Sequence, residues 1–161
     1  MKKSFLHFLL FFICATEVCS QDIFIDYYGN HTGLENNKTN IVVTISTISC
    51  HQCYIELHDF FVKQKVFEDK RYNIVALCFL DKNQIKDISI RKRLYQASKG
   101  YFPEIEQVYF VSTLSKGRAK FCRKRLDVRN FPNIFVIDQR NKVKFFDDYN
   151  KFMNEFEFWG L

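Results

Sequence analysis

Ile41-Val42-Val43-Thr44-Ile45 is a run of β-branched and apolar residues that leads, through Ser46 to Ser49, into Cys50-His51-Gln52-Cys53. An amphipathic stretch with helical spacing follows at once, over residues 54–66. The free amides and the positive dipole end of a helix N-terminus stabilise a thiolate, and the thiolate rather than the thiol attacks disulfides. A strand that hands a C-x-x-C to the start of a helix therefore reads as a redox site. In that reading Cys50 is the exposed nucleophile, and Cys53, one helical turn deeper, is the resolving thiol.

Upstream, Lys2 and Lys3 precede an apolar run from Phe5 to Ala15, and Val18-Cys19-Ser20 precedes Gln21. Small residues three and one places before a cut are what signal peptidase reads, so residues 1–20 are expected to be a signal peptide. The apolar run is shorter than the ~20 residues a permanent membrane span needs. A lipid anchor at Cys19 is the weaker reading, because Thr16-Glu17-Val18 puts a charge and a branched residue where attachment wants small or aliphatic ones. Membrane association is expected only with such an anchor.

Cleavage leaves roughly 140 residues, enough for one domain with a real core and too few for two. The formal charge of the whole chain is +6, and cleavage removes Lys2, Lys3 and Glu17. The remaining excess lies in 63–70, 91–93 and 118–129, each with helical spacing, so solvated helix faces are favoured over a nucleic-acid surface. No nucleic-acid partner is expected. Of the six cysteines, Cys14 and Cys19 leave with the signal peptide. Cys78, inside the apolar run 73–80, reads as a small buried hydrophobe, and Cys122 as a residue of a basic helix; a bond between those two is the less favoured reading.

Along the rest of the chain, residues 22–28 read as a strand and 29–40 as a loop. That loop carries the sequons Asn30-His31-Thr32 and Asn37-Lys38-Thr39, inert outside eukaryotes. Together, 21–40 form an N-terminal extension. Beyond the C-x-x-C helix, strands are expected over 73–80 and 108–111, with a helix over 85–97 between them that Gly100 and Pro103 close. A helix over 115–126 precedes Asn130-Phe131-Pro132. The strands 133–138 and 142–146 pair as a hairpin about Gln139-Arg140-Asn141, and an aromatic-rich helix over 149–159 ends the chain. This alternation implies an α/β fold, a central mixed sheet with helices on both faces.

The pattern resembles the thioredoxin fold and, within it, exported thioredoxin-like proteins of the TlpA and redoxin type. Three segments carry the resemblance across residues 41–147 of an expected thioredoxin-like domain, 41–161. Ser49 to Cys53 followed by Glu56-Leu57 is similar to the family's C-x-x-C-x-x-E-[LMF]. The β-α-β insertion over 81–112, before the late proline, resembles that of the exported members. Phe131-Pro132-Asn133-Ile134-Phe135-Val136-Ile137-Asp138, then Lys142-Val143, is close to x-P-T-x-F-[LV]-I-D and G-x-[IV]. The resemblance implies that Pro132 is cis and faces the C-x-x-C, with Phe131 offering backbone groups to an extended substrate beside its disulfide. It further implies an exported thiol-disulfide oxidoreductase whose catalytic residues are Cys50 and Cys53 and whose direction is open. No separable cofactor is needed. The partners are protein thiols or disulfides and an upstream redox partner that resets the pair.

Three departures stand out. Ile48-Ser49 occupies the place where an aromatic residue is common, His51-Gln52 replaces the usual Pro-containing dipeptide, and Asn133 replaces Thr. Protonated His51 could stabilise the Cys50 thiolate and make the pair more oxidising; an exposed helix-start residue without a role is the equal alternative.

Other uses of the cysteine pair fit less well. Haem attachment needs His after the second cysteine, where Tyr54 stands. Zinc needs a second short-spaced ligand pair, which His31, His51, His58, Cys78 and Cys122 do not form; copper through His58 remains a minor alternative. Thr47 stands where a peroxidase wants its hydroxyl, but the dithiol spacing fits better. The chief non-enzymatic alternative is a static disulfide in a binding or structural domain of thioredoxin fold. The Asn-, Lys-, Ile- and Phe-rich composition and the Ser-Gln junction resemble exported proteins of AT-rich Gram-negative bacteria. The periplasm is the expected location, with secretion or a lumenal site if the source is eukaryotic.

Overall fold

A computed structural model of the chain describes residues 24–46, 51–112 and 132–159, with side chains through 156. The expected signal peptide, Cys50, Cys122, Phe131 and the helix expected over 115–126 lie outside the described residues, as does the Phe131–Pro132 bond expected to be cis.

Among the described residues seven strands form one mixed sheet: β1 Phe24–Ile25, β2 His31–Thr32, β3 Thr39–Ile45, β4 Tyr72–Leu80, β5 Gln107–Ser112, β6 Ile134–Ile137 and β7 Val143–Phe146. Their spatial order is β2-β1-β5-β4-β3-β6-β7. The central pairs β3–β4 and β4–β5 are parallel, whereas β6 runs antiparallel to β3 and to β7. Three helices complete the described fold: α1 His51–Lys63, α2 Ile88–Tyr101 and α3 Tyr149–Trp159. Between β4 and Pro132, where a β-α-β insertion was expected over 81–112, the described residues hold a 3₁₀ turn at Gln84–Lys86, α2 and β5, with no strand ahead of the helix.

The apolar run of β4 reads as continuous because both of its faces are covered. Ile74, Ala76, Cys78 and Leu80 face a core that also takes Tyr54, Leu57 and Phe61 of α1, Leu94 of α2, and Phe152 and Phe156 of α3. Phe61, Phe102, Phe110 and Phe152 are fully buried there, and Phe61 meets Phe152 edge-on. Val75 and Leu77 point the other way, into a second cluster with Phe24, Val42, Tyr109 and Phe135. All three described helices therefore lie on one face, where helices on both faces were expected; the helix expected over 115–126 falls outside the described residues.

Element ends differ from the sequence reading for identifiable reasons. Of the strand expected over 22–28, the described residues 24–28 keep only the two-residue β1, and the chain turns at Gly29, whose φ of 96° suits glycine. The expected loop 29–40 contains β2 and the start of β3. The helix expected over 85–97 is split, with a 3₁₀ turn at Gln84–Lys86 and α2 starting after Asp87. Asp87 accepts the Ser89 amide at 2.8 Å as the N-cap, a bond of the kind worth about 1 kcal/mol. Gly100 does not end this helix. Pro103 disfavours helical geometry at the residue before it, and Phe102 leaves the helix with φ −133° and ψ 80°.

Candidate active site

The C-x-x-C segment enters α1 earlier than its periodicity suggested. The helix starts at His51, not at residue 54, so Cys53 sits within the first turn, half-buried. No acidic residue lies in that turn, and the positive end of the helix is not neutralised there.

Tyr54 fastens this end of α1 to the sheet. It is fully buried, donates its hydroxyl to the Thr44 carbonyl at 3.0 Å and accepts the Ser46 amide at 3.1 Å. Its ring lies 4.6 Å from that of Tyr101. One side chain thus ties the helix that carries Cys53 to the strand end that leads into Cys50.

A second clamp acts on Pro132. The Asn133 amide donates to Thr44 Oγ1 at 2.8 Å, Thr44 Oγ1 donates to the Asn133 carbonyl at 3.0 Å, and the Thr44 amide donates to the same carbonyl at 2.9 Å. β6 is thereby held along β3, with Val43 opposite Ile134. Pro132, buried, stands at the end of β3 from which the C-x-x-C helix departs.

The exposed side of the first turn carries a polar chain. Gln52 Nε2 donates to Glu56 Oε1 at 3.2 Å, and the Tyr149 hydroxyl, from the first residue of α3, donates to Glu56 Oε2 at 2.6 Å. The bonds from Tyr149 and then Gln52 hold the Glu56 carboxyl below the ordinary carboxylate range. Tyr149 is pushed above the ordinary phenol range, first by its bond to Glu56, then by burial and by hydrogen bonding to Cys53. Tyr149 is the residue that reading the sequence missed. It belongs to no motif, and an aromatic at the start of a terminal helix looks like core.

His51, the residue considered for tuning Cys50, is exposed, with Nδ1 3.1 Å from the Tyr101 hydroxyl and the two rings 5.1 Å apart. His58 does not join the cysteine. Five residues past Cys53, it is rotated well around the helix and meets Glu104 at 3.0 Å. Among the described residues, no group of three or more His, Cys, Asp or Glu could hold a metal ion. Cys78 lies inside the core, 3.9 Å from Ser98 Oγ, and burial pushes its thiol up to about 12.

No protein-family model matches this chain, and no curated protein matches it. Solved structures do. A thioredoxin-like protein from Porphyromonas gingivalis aligns with a TM-score of 0.54 at 15% identity, over 84% of this chain and 89% of that one. A thioredoxin-like protein from Aeropyrum pernix gives a TM-score of 0.52 at 11% identity, over 85% and 84%. The MTB protein dsbF, solved in mixed oxidized and reduced forms, gives 0.50 at 14% identity, over 83% and 91%. At these identities the likeness speaks to the fold. The sheet order, Cys53 in the first turn of α1 and the proline before β6 agree with it: this chain has the thioredoxin-like fold.

Proposed function

We propose that this protein is an exported thiol-disulfide oxidoreductase acting on protein substrates through Cys50 and Cys53. One observation carries the reading: Cys53 lies in the first turn of a helix whose positive end meets no acidic residue, at the end of the sheet where Pro132 is clamped. Such a turn favours thiolate, the reactive form. The Cys50 thiolate attacks a client disulfide, a Cys50–client bond forms and one client sulfur leaves as thiolate. The Cys53 thiolate then attacks Cys50, closing the Cys50–Cys53 disulfide and releasing the second client thiolate. The client gains two electrons and the pair loses two; an upstream dithiol restores it, and the reverse sequence oxidises a client dithiol. Pro132 and Phe131 present the edge against which an extended client lies. The expected location is the periplasm.

The test is the reduction of insulin disulfides by the mature protein with a dithiol supplied. Turnover that disappears in Cys50→Ser is the expected result, and turnover that survives in that variant overturns the assignment.

A further inference from the structure

We propose that Tyr101 is a positioning residue for the redox turn: its hold on His51 orders the link between the cysteines and so favours the Cys50–Cys53 disulfide over the dithiol. The inference rests on the oxidoreductase reading, because it concerns the same pair. His51 and Gln52 are the whole of that link, and neither is proline, so no ring fixes φ there. His51 is also the first residue of α1, and helix ends fray. Side-chain contacts therefore weigh heavily in how ordered the link is.

Tyr101, the last residue of α2, supplies such a contact. Its hydroxyl lies 3.1 Å from His51 Nδ1, and the two ring centroids are 5.1 Å apart. A phenol donates to a bare ring nitrogen and accepts from a protonated one, so the contact persists in either state of the imidazole. Tyr101 is itself firmly placed. Its ring lies 4.6 Å from that of buried Tyr54, and the next residue, Phe102, is fully buried with its amide donating to the Ser98 carbonyl at 2.9 Å. Lys99 Nζ closes the following turn by donating to the carbonyls of Pro103 at 2.8 Å and Ile105 at 2.6 Å. A fastened helix end thus holds the residue that follows Cys50 in the chain.

Closing the disulfide and making the His51–Tyr101 contact order the same short link. Whichever comes second costs less conformational entropy, so each favours the other, and by the same factor. In oxidation by glutathione disulfide, the Cys50 and Cys53 thiols give up two electrons and two protons. The S–S bond of the glutathione disulfide breaks to two thiols, and the Cys50–Cys53 bond forms. Tyr101 exchanges neither proton nor electron in this step. It sets how stable the closed pair is against the open one.

The test is the equilibrium of the mature protein with glutathione buffers at neutral pH, or with dithiothreitol buffers at lower potentials, the reduced fraction being read by maleimide labelling. Tyr101→Phe keeps the ring against Tyr54 and removes the hydroxyl. It is expected to weaken the disulfide about threefold, a potential higher by about 15 mV. In a His51→Ala background the same change is expected to leave the potential where it is, because the partner of the hydroxyl is gone. An unchanged potential in Tyr101→Phe overturns the inference, and so does a lower one. An equal shift in both backgrounds overturns it as well, since the hydroxyl then acts without His51. Insulin reduction by the wild type separates the two readings: turnover without a Tyr101 effect sinks this inference alone, and a Tyr101 effect without turnover sinks the oxidoreductase reading.

Discussion

Thr44 Oγ1 accepts the Asn133 amide at 2.8 Å and donates to the Asn133 carbonyl at 3.0 Å, joining residues 89 apart in the chain. Both residues are fully buried. The hydroxyl is therefore the means by which the proline-bearing strand is held to the strand that feeds the cysteines. Thr44→Val keeps the shape and removes both bonds, leaving a buried amide without its acceptor, which costs about 1–3 kcal/mol. Urea unfolding should show that loss, and insulin turnover should fall further than stability alone explains. Unchanged stability would mean that the backbone bond from Thr44 suffices to hold the strand.

Tyr54 makes a comparable tie on the other side of the site. Tyr54→Phe leaves the buried ring in place and removes the hydroxyl that bridges the Thr44 carbonyl and the Ser46 amide. A cost of about 1–3 kcal/mol is expected by the same reasoning. Amide exchange measured by NMR should quicken at Ser46 and leave the centre of β4 protected.

Cys78 should be inert while the protein is folded. Its thiol is fully buried against Ser98 and pushed up to about 12, whereas an unfolded thiol ionises near 8.5. The folded state holds this proton more tightly. The stability it contributes is present in full below about pH 8.5 and declines as the pH rises toward 12. Alkylation at pH 8 followed by mass spectrometry should leave Cys78 unmodified until denaturant is added, and rapid native labelling would contradict its place in the core.

Cys53→Ser should accumulate mixed disulfides through Cys50 in the native compartment, because attack remains while resolution is lost. Non-reducing gels of cells expressing this variant should show adducts that dithiothreitol removes. Their absence would favour a static disulfide.

The strands and helices of the core were legible because their signals are local. Continuous apolar runs marked β4 and β5, Gln139-Arg140-Asn141 marked the β6–β7 hairpin, where Asn141 takes φ 59°, and the C-x-x-C and Pro132 stand in recognisable context. Less legible were features decided by partners far along the chain. The start of α1 at His51 could not be read from periodicity, because its first turn presents polar residues to solvent and gains its hold through Tyr54 and Tyr101. The start of α2 depended on Asp87 winning a cap over a run of isoleucines that looked helical throughout. Tyr149 was invisible as a site residue, since only the packing of α3 beside α1 brings its hydroxyl to Glu56.

The reduction potential of the Cys50–Cys53 pair tests the account most directly. Mature protein equilibrated in glutathione buffers of graded ratio, quenched with acid and labelled with maleimide, reports the fraction of the pair reduced at each poise. The oxidoreductase reading predicts a reversible two-electron transition between about −270 and −120 mV, the range spanned by catalytic pairs of this chemistry. A pair that stays oxidised below about −300 mV, as structural disulfides do, would contradict it.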